Sequence, residues 1–334
     1  MSVVDDGRRD DGGTLAALRD LLPLVAIVLV LMGCLWLYEP RVLSSSNLYN
    51  VFRNAAFLAV IAAGQMLVMV TGGFDLSVGG TAALSSVVGA IVMTMISAVY
   101  PDADLLVISG GVLAGLGTGL VVGLANGIAV ALFNAPAFMV TLGMLSVVTG
   151  AAMYLTAGAP IYGLPELFTR TFARGTLFEV SNLIWICAAV LVAVLALQSY
   201  LPFGRHIRAV GGNRHAAHLS GISTSATIIA AYAASGVLAA TVGVLLMARL
   251  GSGQSTAGLD LMLQSIAVAV VGGVSLRGGY GRIERVAVAA LFFAVIGNGM
   301  NLVRLDSRYQ PIVIGVVIIV ATLMERLGRK RDRR

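Results

Sequence analysis

The stretch "TGGFDLSVGG", Thr71–Gly80, sets one carboxylate, Asp75, among glycines and small residues between two long apolar runs. A carboxylate at that depth is costly unless it meets a partner or a water-filled cavity. Gly72, Gly73, Gly79 and Gly80 permit turns that a continuous helix does not. Two readings fit the spacing. One is an interrupted helix whose buried charge serves a solute pathway; the other is a tight turn with Asp75 at its wet end.

The composition around this stretch decides the class. Hydrophobic residues make up 58% of the 334 residues and charged residues only 11%. Mean hydropathy is +0.93. A water-soluble domain carries about 25% charged residues, so the chain reads as an all-α polytopic membrane protein. Apolar runs of bilayer length lie near 21–38, 51–70, 76–99, 105–132, 137–157, 181–200, 224–248, 263–275, 286–303 and 311–325, which predicts about ten spans, some broken or short. Residues 1–20 form an Asp-containing tail without a small-residue cleavage site, so the first run reads as an uncleaved span. The expected organisation is a cytoplasmic tail over 1–20, a transmembrane domain over 21–327 with a long inside loop at 201–223, and a basic tail over 328–334.

Charge orients the spans. With a cytoplasmic N-terminus, the inside segments collect Arg8, Arg9 and Arg19, then Arg205, Arg208 and Arg214, then Arg277, Arg282 and Arg285, and finally the basic cluster from Arg326 to Arg334. These are most of the 22 basic residues, as the positive-inside rule requires, and they put both termini in the cytoplasm. The net charge of +6 is then a topology and lipid signal. Nucleic-acid binding explains it poorly, because the basic residues are scattered among membrane loops.

Conventional active-site chemistry is missing from the pattern. Cys34 and Cys187 each lie alone in an apolar run and make neither a disulfide framework nor a metal site. His206, His215 and His218 share one basic loop without further ligands for zinc. The chain holds no G-x-x-x-x-G-K-[ST], so any ATP and Mg²⁺ belong on a partner subunit. No catalytic set and no metal site is expected. In "GVLAGLGTGLVVGLANG", Gly111, Gly115, Gly119, Gly123 and Gly127 recur every fourth residue and predict a close helix–helix contact.

Polar residues in the spans are the remaining candidates. Asn126, Gln264 and Asn298, with Asn134 and Asn301, fall in or beside apolar runs. Each amide either bonds between helices or contacts a polyhydroxylated solute. "VGGVSLRGGYGRI", Val271–Ile283, echoes the opening stretch: Gly72, Gly73, Leu76 and Gly79 match Gly272, Gly273, Leu276 and Gly279 at an offset of 200. Internal duplication with broken helices is common in transporters. In the inside loop, Asn213 is a good N-cap and Gly221 a good helix stop, so Arg214–Ser220 predicts a short helix. Ala216, Ala217 and Leu219 would give it small, apolar contact surface. It would either plug a groove on a soluble partner or rest on lipid headgroups.

"GGFDLSVGG", "ANGIAVALFNAPAFMVTLGML", "FGRHIRAVGGNRHAAHLSGI", "VGGVSLRGGYGRI" and "NGMNLVRLDSRYQPIVIGVVII" resemble the permease subunits of bacterial ABC sugar importers of the ribose, xylose and arabinose type, which include autoinducer-2 and galactofuranose importers. The resemblance spans about Asn50 to Leu327. It implies a multi-pass inner-membrane permease that works as a pair, with a second copy or a related permease. A periplasmic solute-binding protein would feed it and cytoplasmic ATP-binding subunits would drive it. It places Gly72, Gly73, Asp75 and Ser77 in the family's G-G-x-D-L-S-V-G element. It also assigns Gly212, Asn213, Ala216, Ala217, Ser220 and Gly221, with Arg214 beside the cap, to coupling with the ATPase. One departure stands out. Relatives often carry E-L-D-x-I-A before the second glycine segment, whereas Met262 and Gln264 occupy the two acidic positions here.

The implied function is ATP-driven import of a sugar or similar solute, with no reaction in this chain. Asp75 would be a hinge charge first and a solute ligand second. An ion-coupled transporter would need more central carboxylates than Asp75 alone, and a membrane scaffold would tolerate changes at Asp75 and in the 212–222 loop.

Overall fold

The computed structural model describes residues 12–305, 307–309, 311–317 and 319–320. The expected basic tail and the last part of the tenth run lie outside the described residues, as does the N-terminal tail up to residue 11. Helix α1 (Gly12–Tyr38) begins nine residues before the first expected span. After it come α2 (Ser45–Val70), α3 (Val78–Val99), α4 (Asp104–Leu132) and α5 (Ala137–Thr156). The second half holds α7 (Asn182–Ser199), α10 (Thr224–Leu250) and α12 (Ile283–Leu302), with a short α11 (Leu261–Val271) before α12. Among the described residues, eight helices are long and apolar enough to cross a membrane. The eighth expected span contracts to the 11 residues of α11, because the glycines that follow break it. Residues 311–317 are helical, at the start of the tenth run.

Two helices form the centre. Over the apolar 18-residue stretches of α2 and α10, 78% and 72% of residues are buried, against 6% for that of α1. Helix α10 packs on α2, α3 and α4, while α2 also carries α7, α11 and α12. Helix α5 lies outside α3, and α1 lies outside α12. The connection at 158–181 holds the single turn α6 (Glu166–Phe168), a π turn (Thr169–Arg174) and a short hairpin of β1 (Thr176–Leu177) and β2 (Val180–Ser181).

The glycine stripe of α4 explains the tightest packing. Gly111, Gly115, Gly119, Gly123 and Gly127 are all buried. A Cβ on Gly119 would run into the Gly236 carbonyl and Ala240 of α10, and one on Gly123 would meet the Tyr232 carbonyl. With no hydrophobic force between helices in lipid, such backbone approach supplies the association energy.

The glycine echo is also real, displaced by one residue. At the end of α2, Gly72 (φ +89°) donates to the Met69 carbonyl at 2.9 Å and Gly73 to Val68 at 3.2 Å. At the end of α11, Gly273 (φ +77°) donates to Val270 at 2.9 Å and Val274 to Ala269 at 2.9 Å. Both are left-handed helix stops of the same hydrogen-bond pattern, related by 201 residues.

Valine at Gly119 or Gly123 is expected to destabilise the detergent-solubilised protein by about 1–3 kcal/mol through overpacking. Valine at Gly117, off the stripe and with nothing within 4 Å of its would-be Cβ, should leave it unchanged. Thermal unfolding of the three variants checks this.

Candidate functional site

Segment 71–77 leaves α2 and enters α3 inside the bundle, and its polar side chains, Thr71, Asp75 and Ser77, are all hydrogen-bonded. Asp75 Oδ1 accepts from the Ser77 amide at 3.0 Å and the Ser77 hydroxyl at 2.6 Å; Oδ2 accepts from the Ser235 hydroxyl of α10 at 3.1 Å. The Asn126 amide of α4 donates to Ser77 Oγ at 2.9 Å. The Phe74 carbonyl takes the Tyr232 hydroxyl at 3.0 Å and Thr141 Oγ1 of α5 at 3.3 Å. The carboxylate sits at the N-terminal end of α3, where the helix dipole favours it. Asp75 is 1% exposed, and Ser77 and Asn126 are fully buried. Asp75, Ser77 and Asn126 therefore form one buried polar knot joining α3, α4 and α10, apart from the amide-lined cavity described below.

Gly73 lies under the Tyr232 hydroxyl, whereas Gly72 belongs to a second, backbone-only contact at the same end of the bundle. The Gly279 amide donates to the Val70 carbonyl at 2.8 Å. Gly278 (φ +86°) lies against the Gly72 amide and the Gly211 carbonyl, and a Cβ on Gly211 would strike the Val70 carbonyl. Three chain segments thus meet there without side chains between them.

The third of these segments leads to the loop at 201–223. It is largely helical: α8 (Pro202–Gly212) precedes α9 (Arg214–Leu219). Helix α8 went unread in the sequence although Gly204, Ile207 and Val210 form its buried face. Helix α9 forms as expected. The Asn213 side chain accepts the Ala216 amide at 3.0 Å, and Gly221 (φ +81°) ends the helix, with the Ile222 amide donating to Ala217 at 3.1 Å. Arg214 donates to the Ala131 carbonyl at 3.3 Å and pins α9 to the end of α4. Ala217 requires a correction. Its methyl group faces inward, in a cluster with Val210, Ala131 and Tyr232, because the cap fixes which face of so short a helix meets the bundle. The outward surface is Gly212, Asn213, Ala216, Ser220, Gly221 and Leu219, the last 75% exposed.

Gln264 and Asn298 lie elsewhere, in a cavity of about 280 Å³ with Asn54, Arg249, Asp260 and Asn301 as its other polar walls. Phe57, Leu58, Leu261 and Phe293 supply the apolar walls. This is near the lower bound of the ~300–1,000 Å³ usual for small-molecule sites. Asn54 is near the start of α2, Arg249 near the end of α10 and Asn298 near the end of α12, so the cavity lies toward the end of α2 opposite the Val70 contact. Arg249 donates to Asn54 Oδ1 at 2.9 Å and stands 5.6 Å over the Phe57 ring. Gln264 Nε2 donates to Asp260 at 3.4 Å. Asn298 and Asn47 exchange amide bonds at 2.7 and 2.9 Å across α12 and α2.

Sequence reasoning missed Asn47, Asn54, Arg249 and Asp260 as cavity or clasp residues. It also missed Gln198, which binds the Gly281 carbonyl and accepts the Ile283 amide at 3.1 Å. Only their partners, far away in the chain, give these residues meaning.

Comparison with known proteins agrees with this architecture. Residues 47–322 match the family model described as branched-chain amino acid transport system / permease component. The chain is similar to the ribose import permease protein RbsC of Escherichia coli strain K12, 36% identical over 317 residues, covering 93% of this chain and 95% of that protein. It is 32% identical over 308 residues to the D-allose transport system permease protein AlsC of the same strain, covering 92% and 91%. The galactose/methyl galactoside import permease protein MglC of Haemophilus influenzae is 32% identical over 311 residues, covering 90% and 92%. No solved structure matches the chain.

Asp75→Asn keeps a neutral oxygen for the two Ser77 donors but turns the atom facing the Ser235 hydroxyl from acceptor to donor, so it should lower stability by about 1–3 kcal/mol. Ser235→Ala removes a single donor and should cost less. Thermal unfolding in detergent ranks the two.

Proposed function

Because the chain belongs to the family of branched-chain amino acid transport system permease components, we propose that it is the membrane subunit of an ATP-driven importer for a monosaccharide. The observation that carries this reading is a pair of features at opposite ends of one bundle. An amide-lined cavity lies at one end, a capped helix α9 with an exposed leucine lies at the other, and backbone contacts around Val70 link α9 to the helices that wall the cavity.

The cavity suits a hydroxylated solute. Amides donate and accept, as hydroxyl groups do, and Asn54, Gln264, Asn298 and Asn301 line it beside Arg249 and Asp260. Arg249 bonds to Asn54, Gln264 to Asp260 and Asn298 to Asn47, and the guanidinium and carboxylate keep donor and acceptor positions beyond those bonds. The similar proteins named for ribose, allose and galactose support a sugar as that solute.

In this reading the cavity faces the periplasm and receives solute from a binding protein. The 201–223 loop and both termini face the cytoplasm. Leu219 docks in a groove of an ATP-binding subunit, which holds the ATP and Mg²⁺. Closure of the ATPases moves α9 and α8. Through Gly211 the motion reaches the ends of α2 and α11, and access to the solute alternates. A second permease copy or a related permease completes the transporter in the bacterial inner membrane.

Proteoliposomes carrying the permease, its ATP-binding subunits and its binding protein should import ¹⁴C-labelled D-ribose, D-allose or D-galactose only with ATP. Import of leucine instead, or uptake without ATPase, would refute the proposal. Leu219→Glu should cut sugar uptake at least tenfold while leaving the permease's own thermal stability unchanged. Ala217→Arg, buried against the bundle, should lower that stability as well as uptake. Unfolding and transport measured on both variants separate docking from packing.

A further inference from the structure

We infer that Gln65 is a solute contact lying beneath the cavity, sealed in this conformation and reached by solute when the helices rearrange; this rests on the import reading above. Gln65 is fully buried in the middle of α2. Among the described residues, neither its Nε2 nor its Oε1 has a hydrogen-bond partner. Burying an amide with both ends unmatched is costly, and methionine or leucine would fill the same space without that cost.

Helix geometry says which way the side chain leaves α2. At 100° per residue, Gln65 lies within about 20° of both Asn54, eleven residues before it, and Leu58, seven before it. Asn54 and Leu58 both wall the cavity. Gln65 therefore sits on the cavity-facing stripe, about 10 Å below Leu58 along the axis. The neighbouring direction is already taken: a Cβ on Gly64 would come within 3.1 Å of Ser235 Cα, so that face meets α10. Beyond the end of α2, Gly72 stands against Gly278 in the backbone contact that closes the far end. Cavity and unmatched amide thus lie in one line along α2, with the closed end past its last turn.

The opposing wall fits a passage that is shut here. Helix α11 packs on α2. Its Leu261 and Gln264 line the cavity, whereas Val268, one turn beyond Gln264, is fully buried. An apolar layer below an amide-lined mouth separates Gln65 from solute. A hydroxylated solute that passed this layer would find in Gln65 a donor and an acceptor not committed to the protein.

The test uses transporters assembled with their ATP-binding subunits in proteoliposomes, on a Cys34→Ser, Cys187→Ala background. Gln65→Cys should react with a methanethiosulfonate-ethyltrimethylammonium reagent at least tenfold faster in either the ATP-bound or the vanadate-trapped state than without nucleotide. Ala63→Cys, nearly opposite on the helix, should stay unreactive. Negligible reaction of Gln65→Cys in all states overturns the inference. Separately, Gln65→Met should keep or raise thermal stability yet reduce ATP-driven ¹⁴C-D-ribose, D-allose or D-galactose uptake at least tenfold, and Gln65→Asn should recover part of it. Unchanged uptake in Gln65→Met overturns the inference while leaving the import reading intact. A wild-type transporter that imports none of the three sugars fails the import reading instead, and the labelling result still decides whether Gln65 becomes accessible.

Discussion

A helix that ends inside a membrane protein leaves carbonyls that water cannot reach, and each must find a donor within the fold. Helices α2 and α11 both stop in this way. The Val70 carbonyl is satisfied by the Gly279 amide at 2.8 Å, so the end of one broken helix is completed by the segment that follows the other. That bond draws α2, α3, α11 and α12 to one point, and the end of α8 packs against it.

The second organising element is polar. Asp75 has no cation among its hydrogen-bond partners, only the Ser77 amide and the hydroxyls of Ser77 and Ser235. Placed at the start of α3, it ties the broken segment to α10 and, through Asn126, to α4. The glycine stripe of α4 brings those helices close enough for such short side chains to reach. Packing and hydrogen bonding thus require each other: larger residues on α4 would move Asn126 away from Ser77.

Local signals were legible in the sequence and distant ones were not. Apolar length located α1–α5, α7, α10 and α12. Asn213 and Gly221 located α9, because caps act over three or four residues. The glycine echo was visible, though its alignment by identity missed the structural match by one residue, since the left-handed position falls at Gly72 in one copy and Gly273 in the other. Helix α8 was hidden because its buried face holds only Gly204, Ile207 and Val210 among charged neighbours. The cavity was out of reach for another reason. Asn54, Arg249, Asp260 and Asn298 come from distant parts of the chain, and no local pattern marks them as neighbours. Asp75 shows the converse case: a conspicuous motif whose spacing fitted a pathway occupies a buried joint.

The contact among Val70, Gly211 and Gly279 also bears on how such a protein can diversify. Main-chain atoms have no rotamers and cannot yield, so a displacement of α8 is handed on without slack. They also carry no chemical identity that a solute could read. Selectivity and transmission therefore reside in different materials, side-chain amides for one and bare backbone for the other. Exchange of the amides can retune what is carried while the drive linkage stays mechanically the same.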